Sequence, residues 1–388
     1  MKNSWHVVSN AQAGQGRAKL LADDLVRQLS EHGIHYILHE TQCEGDGLRI
    51  GRGIVAADKF TQDGLTVAVV GGDGTLHELI NGITPFNGTF KYKVNLAVVP
   101  AGTANAVYHS LFPSTAADDV DSCDRFLSVK AALSPSSSSK VPLSIMKVTP
   151  APSSNSDIFS HVVTSTALHA HILETASTAE MRKAYPGVER FKRAAEQHIG
   201  TVYQAKLTLK PRKGSGGAGI QQWSIRNKQW VHLSHNEVVL EGKFTYLVSA
   251  LVDRFEAKFL IAPHSSIQTR PGDAVDIVLV RMQDGQGKDQ AVRTLTQVLT
   301  AAYDHGKHIL LTEPKNEADD LETEGAGKAV VEYYRVAGFD WKPLTHASEL
   351  ACVDGTTYWL EGGQSLKCGV LLPTEYGTLD SGGFSMFV

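Results

Sequence analysis

The chain is poor in cysteine, has no long apolar run and shows no strong charge bias. Its four cysteines, Cys43, Cys123, Cys352 and Cys368, stand far apart in 388 residues without a CxxC pair. That pattern argues against a disulfide scaffold or a zinc ribbon and favours a reducing compartment, so a cytoplasmic location is expected. Nowhere do about 18 apolar residues follow one another, and the start "MKNSWHVVSN" has no apolar h-region, so neither a spanning helix nor a signal peptide is expected. With 37 basic and 41 acidic residues the formal net charge is −4, and the whole-chain basic bias typical of nucleic-acid binding is missing.

What is present is a globular composition, 42% apolar and 20% charged, with 35 glycines. At roughly 150 residues per domain the length suggests two domains. The first part repeats one pattern three times: a β-rich apolar run, a glycine-rich break, then a helical stretch. "WHVVSN" leads to "AQAGQG" and "RAKLLADDLVRQLSEHG"; "LTVAVV" leads to "GGDG" and "TLHELING"; "VNLAVVP" leads to "AGTAN" and "AVYHSLF". Such alternation implies a parallel α/β sheet whose ligands bind at the carboxyl ends of the strands, where all three breaks fall.

After the polar stretches "SPSSSS" and "TPAPSSNSD" the texture changes to many short β-type runs, among them "AKLTLKP", "FTYLVSAL", "AVDIVLVR" and "TYWLEGG". These imply a mostly antiparallel sandwich, interrupted by helical intervals near residues 174–197 and 291–303. "PRKGSGGAG" reads as a hairpin tip rather than a phosphate loop, because no clear helix follows it. The expected architecture is an α/β nucleotide-binding domain over residues 1–140 and a β-sandwich lipid-substrate domain over 141–388, with the last residues returning to the first domain.

Three glycine breaks at strand ends call for a common reason. In "GGDGTLHE", Thr75 followed by Glu78 predicts a capping box. Gly71, Gly72 and Gly74 would let backbone N–H groups approach a polyphosphate at a helix N-terminus. Asp73 is out of place beside phosphates unless it holds a metal ion or takes a proton, and both uses belong to phosphoryl transfer.

"GGDGTLHELING" followed by "PAGTANAV" resembles the catalytic domain shared by diacylglycerol, sphingosine and ceramide kinases. "SNAQAGQGRA" is similar to that family's first nucleotide loop, "AEMRKAYPGVERF" to its two-arginine segment, and "CVDGTTYWLEGG" to its C-terminal loop. The resemblance implies ATP and Mg²⁺ as cofactors and an ATP site in the interdomain cleft. By similarity the nucleotide would be lined by Asn10, Gly14, Gly16, Gly72, Gly74, Thr75, Gly102, Thr103 and Asn105, with Arg182 and Arg190 reaching the triphosphate and Asp354 and Gly355 closing on it. Asp73 matches the aspartate that deprotonates the acceptor hydroxyl. Glu78 is expected to cap and Asn81 to anchor the turn. Two departures stand out: Thr356 replaces a usual glutamate, and Ala11 a usual proline.

The implied acceptor is a primary hydroxyl of a long-chain lipid, a sphingoid base before diacylglycerol or ceramide. Glu174 stands in for the aspartate that engages the head group in sphingosine kinases. His169 and His171 form an HxH pair without a third ligand at metal-site spacing, so no metal site is assigned to them. The first predicted strand begins within the first ten residues, so contact with lipid is expected through a surface patch or flap, as peripheral membrane association. Two alternatives remain: a pseudokinase that binds nucleotide or lipid without turnover, and an NAD kinase, whose Asn-Glu pair would be Asn236-Glu237, some 160 residues after the glycine loop.

Overall fold

The apolar runs of the first part become buried strands, and the glycine breaks become their ends. The computed structural model describes residues 4–57, 64–84, 93–116, 123–134, 139–150, 157–213, 219–234, 237–283, 285–316, 319–371 and 383–388. It comprises two compact units, one of Met1–Ile145, Phe255–Ala257 and Leu371–Val388, the other of Met146–Arg254 and Lys258–Val370.

The first unit runs β1 (Trp5–Ser9), α1 (Arg17–Glu31), β2 (Tyr36–Glu40), α2 (Asp46–Ala57), β3 (Leu65–Gly71), α3 (Asp73–Ile83), β4 (Lys93–Pro100), α4 (Ala106–Leu111), α5 (Leu127–Leu133) and β5 (Lys140–Pro142), and ends with the C-terminal strand Gly383–Phe387. The strand order is β2-β1-β3-β4-C-terminal strand-β5. All neighbours pair in parallel except β5, which runs antiparallel to the C-terminal strand. Every residue of β1 and of the C-terminal strand is buried, the mark of a sheet covered on both faces. On α1 the residues Ala18, Leu21, Ala22, Leu25 and Leu29 recur at helical spacing and pack on Val7, Val70, Val99 and Phe387, whose burial rather than helix propensity holds the helix in place.

The second unit contains β6 (Met146–Pro150), β7 (Ile158–Ser160), β8 (Val163–Thr166), α6 (Ala167–Ala176), α7 (Ala179–Ala184), α8 (Glu189–His198), β9 (Tyr203–Lys210), β10 (Ile220–Ser224), β11 (Gln229–Leu233), β12 (Val238–Ala250), β13 (Val275–Arg281), α9 (Lys288–Tyr303), β14 (Leu311–Thr312), β15 (Glu322–Thr323), β16 (Glu332–Val336), β17 (Gly338–Pro343), β18 (Leu350–Val353), β19 (Thr356–Trp359) and β20 (Leu366–Val370). Apart from the β14–β15 pair these strands form one branched 13-stranded antiparallel sheet. The branch is at β12, whose first half pairs with β9 and whose second half pairs with both β13 and β8.

The helical interval expected at 174–197 is three helices beginning at Ala167. Ala167 takes the left-handed conformation, φ 54°, directly after β8, and Gly187 at φ 67° separates α7 from α8. The ends of "PRKGSGGAG" pair through an isolated Arg212–Gly219 bridge; its tip at 214–218 lies outside the described residues, as do 135–138 and 151–156 of the two polar stretches. No helix among the described residues is long and apolar enough to cross a membrane.

Two buried histidines make the second unit acid-sensitive. His308 is fully buried, with Nε2 donating to the Ile261 carbonyl at 2.8 Å, and burial lowers its pKa to about 4. His169, bonded through Nδ1 to Ser165 Oγ at 2.7 Å, is lowered to about 4 by the same cause. The neutral form is therefore favoured in the fold, while an unfolded histidine protonates near pH 6.5. The stabilisation is complete above pH 6.5 and is lost as pH falls towards 4, by roughly 2–3 kcal/mol per residue. Urea titrations at pH 7 and pH 4.5 should show this loss, with a shallower pH slope for His308→Gln; equal slopes would refute the assignment.

Candidate active site

Because β1, β3 and β4 are parallel, the segments 10–16, 72–75 and 101–105 leave the same edge of the first unit's sheet. They are tied to one another. The Asn10 amide donates to the Val70 carbonyl at 3.0 Å and the Ala101 amide to the Gly71 carbonyl at 2.9 Å, while Asn10 Nδ2 donates to Thr75 Oγ1 at 3.1 Å.

The glycines of these loops have different causes. A β-carbon on Gly102 would lie 2.5 Å from the α-carbon of Gly72, and one on Gly72 would lie 2.9 Å from the α-carbon of Gly102. These two are required by backbone contact between the loops. Gly14 and Gly16 take positive φ, 60° and 87°, and a β-carbon on Gly14 would also lie 2.6 Å from the Ala101 carbonyl oxygen. Gly74 is different: it is exposed on the first turn of α3, and a β-carbon there would meet nothing within 4 Å. Neither packing nor φ asks for glycine at this helix start. Close approach of a ligand would.

The expected Thr75–Glu78 capping box does not form. α3 starts at Asp73 with Gly72 as its N-cap and no side-chain cap, and Thr75 Oγ1 accepts from Asn10 instead. Glu78 caps another helix: Oε1 accepts from the Gly45 amide at 2.9 Å and Oε2 from the Gly47 amide at 2.8 Å, serving the otherwise unpaired donors at the start of α2. Asn81 anchors locally, Nδ2 donating to the His77 carbonyl at 2.9 Å.

Asp73 reaches across to the start of α4. Its Oδ2 accepts from the Ala106 amide at 2.9 Å and its Oδ1 from the Val107 amide at 3.1 Å. Asn105, in the left-handed conformation at φ 52°, closes the same turn, accepting from the Gly102 amide at 2.8 Å and donating to its carbonyl at 3.0 Å. Thr103 is exposed between them. A recess bounded by Gly72, Asp73, Asn105, Val107 and Tyr108 encloses about 20 Å³, room for about one water molecule. A nucleotide therefore does not fit inside this recess, and the open ground lies over Gly74.

In the second unit, Arg182 on α7 and Arg190 on α8 are close enough for the charge of one to affect the other. Burial, and then the Arg182 charge, lower the pKa of Arg190. Arg190 Nε is buried with no hydrogen-bond partner among the described residues, and its guanidinium lies 4.6 Å from the centre of the Phe191 ring. Two neighbouring cations, one with a buried Nε that has no partner among the described residues, favour a bound anion. If Arg190 holds phosphate, Arg190→Gln should weaken ATP affinity about 10- to 100-fold and leave the ligand-free melting temperature unchanged. Calorimetric titration with ATP checks this; native affinity in the variant would remove Arg190 from the site.

Asp354 and Gly355 form the two-residue turn between β18 and β19, both at positive φ, 47° and 98°, as a type I′ hairpin requires. The Asp354 carboxylate is buried. Oδ1 accepts from Ser160 Oγ at 2.8 Å and from the amides of Val162 and Val163 at 2.9 and 2.8 Å. Oδ2 accepts from the His161 amide at 2.9 Å and lies 2.8 Å from His161 Nδ1. Asp354 thus organises the β7–β8 turn, and Ser160 and His161 are partners that no sequence motif announced. Glu174, half-buried on α6, accepts from the Thr357 hydroxyl. His169 and His171 lie on the same helix but separate: His169 bonds to Ser165, and His171 Nε2 bonds to the Ala347 carbonyl at 2.9 Å. Asn236 lies outside the described residues.

Residues 4–133 match the family model of the diacylglycerol kinase catalytic domain. Comparison with curated proteins returns no match. Among solved structures, a candidate diacylglycerol kinase from Bacillus anthracis str. Sterne aligns with a TM-score of 0.58 at 14% identity, covering 100% of this chain and 95% of that one. A diacylglycerol kinase from the same organism aligns with a TM-score of 0.51 at 13% identity, covering 95% of this chain and 94% of that one. At these identities the likeness establishes the fold, an α/β unit with an antiparallel β unit, while the match over 4–133 establishes a diacylglycerol-kinase-like catalytic segment containing all three glycine breaks.

Proposed function

We propose that the chain is an ATP-dependent lipid kinase that transfers the γ-phosphoryl group to a primary hydroxyl of a long-chain lipid. The observation that carries the reading is Gly74: an exposed glycine at a helix N-terminus, unexplained by packing or backbone conformation, inside a segment that matches a lipid-kinase catalytic domain. The amides at the start of α3 and the loop glycines would receive phosphate oxygens. Asp73, whose two oxygens accept from α4 amides, would accept the proton of the acceptor hydroxyl as the new phosphorus–oxygen bond forms and the bond to the departing ADP oxygen breaks. Mg²⁺, when bound with the nucleotide, supplies neutralising charge on the transferred group.

For the acceptor we place a sphingoid base first, on the half-buried carboxylate of Glu174 beside a hydroxyl, which suits an ammonium head group. Diacylglycerol, the substrate class in the names of the similar structures, comes next, with ceramide. Incubating the protein with ATP, Mg²⁺ and each lipid in detergent should yield one phosphorylated product, and no phosphorylated lipid from any acceptor would refute the proposal.

A second reading, nucleotide binding without turnover, is favoured by the commitment of Asp73 to two amides and by Thr356 where the family has glutamate. It is expected to show thermal stabilisation by ATP with no phosphotransfer, and any turnover that depends on Asp73 would remove it.

A further inference from the structure

We propose that the outer face of the sheet formed by β9, β12, β17 and β20, with the turn after β17, is a docking surface for an anionic lipid bilayer. The purpose given to this surface rests on the lipid-kinase reading; the binding itself does not.

Strand alternation defines the face. On β9 the inward residues Tyr203, Ala205, Leu207 and Leu209 are buried, leaving Gln204, Lys206, Thr208 and Lys210 outward. Register then places Lys342 of β17 opposite Lys206, Lys243 of β12 opposite Gln204, and Lys367 of β20 opposite Asp340 of β17. Lys243, Lys342 and Lys367 are exposed. Some charges on the face are already satisfied: Lys210 pairs with Asp340 at 2.5 Å, and Lys147 of β6 pairs with Asp157 at 2.7 Å. Glu241 stands opposite Lys206 on β12. Lys206, Lys243, Lys342 and Lys367 have no ion-pair partner among the described residues.

The Lys206–Lys342 pair points outward to a ligand. Lys206 has Glu241 opposite it on β12, whereas Lys342 has Lys206 opposite it; like charges directly opposite on neighbouring strands destabilise a sheet, and an external anion beside Lys342 removes that penalty. The face is four adjacent strands across, which suits a charged surface more than a single small anion.

The apolar side of the surface follows β17 directly. Leu344, whose amide bonds to the Gln204 carbonyl at 2.9 Å, is 48% exposed. Two residues on, His346 stacks at 5.1 Å on the ring of Trp359, which is 46% exposed. Leu344 at the end of lysine-bearing β17, and Trp359 of β19 joined to the same turn through His346, match the interfacial region of a bilayer, where the indole sits at headgroup depth and lysines meet anionic headgroups. A nucleic acid would use the lysines and leave Leu344 without a role.

The test is cosedimentation of the full chain, without ATP, with phosphatidylcholine vesicles that contain or lack about 30% phosphatidylserine. The native protein should bind the anionic vesicles and release in about 0.5 M salt, where the Debye length is a few ångströms. The K206E/K342E double variant should lose at least about 25-fold in partitioning, given roughly fivefold for each of the two lysine charges removed from a membrane surface, and Trp359→Ser should lose about 10-fold. Lys342→Gln with Lys367→Gln gives a milder check if the reversals fail to fold, and melting temperatures establish which variants are folded. Equal binding to pure phosphatidylcholine, unchanged binding by folded lysine variants, or tighter binding to a single-stranded oligonucleotide than to anionic vesicles would overturn the proposal. Phosphotransfer to detergent-dispersed lipid without vesicle binding would sink this surface alone, whereas vesicle binding without phosphotransfer would sink the kinase reading alone.

Discussion

Replacement of Asp73 by asparagine is expected to lower phosphotransfer about 1,000-fold, within the 10²- to 10⁴-fold range of a lost general base. The residue also has a structural task, because its oxygens accept from the Ala106 and Val107 amides. Asparagine keeps one acceptor oxygen and turns an NH₂ group towards the other amide, at a cost of about 1–3 kcal/mol. Both effects are measurable and they separate. If Asp73 only holds the start of α4, activity returns in proportion to the folded fraction when the variant is assayed at low temperature. If it takes the hydroxyl proton, the folded variant binds ATP and stays inactive at every temperature.

The second large effect is a contrast between two glycines. Gly102→Ala would drive a β-carbon to 2.5 Å from the α-carbon of Gly72. Backbone cannot yield as a flexible side chain does, so a loss of about 3 kcal/mol or more is expected. Gly74→Ala meets nothing within 4 Å and removes a helix-destabilising glycine, so a gain of about 0.5–1 kcal/mol is expected. The same methyl group occupies the space a phosphate would need, and ATP affinity should fall by about 100-fold. A thermal melt and an ATP titration on both variants test this. A Gly74→Ala protein that is stabilised and binds ATP normally would show that the helix start faces only water.

The strand–glycine–helix rhythm was legible because it is local: "LTVAVV" and "VNLAVVP" can hide both faces only in a covered parallel sheet, and the glycines mark where each strand stops. Partners distant in sequence were not legible. The T-x-x-E of Thr75 and Glu78 fits a capping box, yet Asn10 and the start of α2 compete for those two side chains and win in the folded chain. Asp354 was legible only through the resemblance of its segment to a C-terminal loop that closes on a nucleotide, and its partners Ser160 and His161 sit almost 200 residues away, where no periodicity points to them. The loop glycines carry the same lesson. The family resemblance groups Gly72, Gly74 and Gly102 around one nucleotide, and only the folded chain separates the two that serve loop packing from the one that faces open space.

The most direct measurement is transfer of γ-labelled phosphate from ATP to a panel of sphingoid base, diacylglycerol and ceramide, run side by side for the native chain and Asp73→Asn. The expected result is a labelled lipid phosphate from the native protein and none above background from the folded variant. Labelled product at equal rates from both, or no labelled lipid from a native protein that binds ATP, would contradict it.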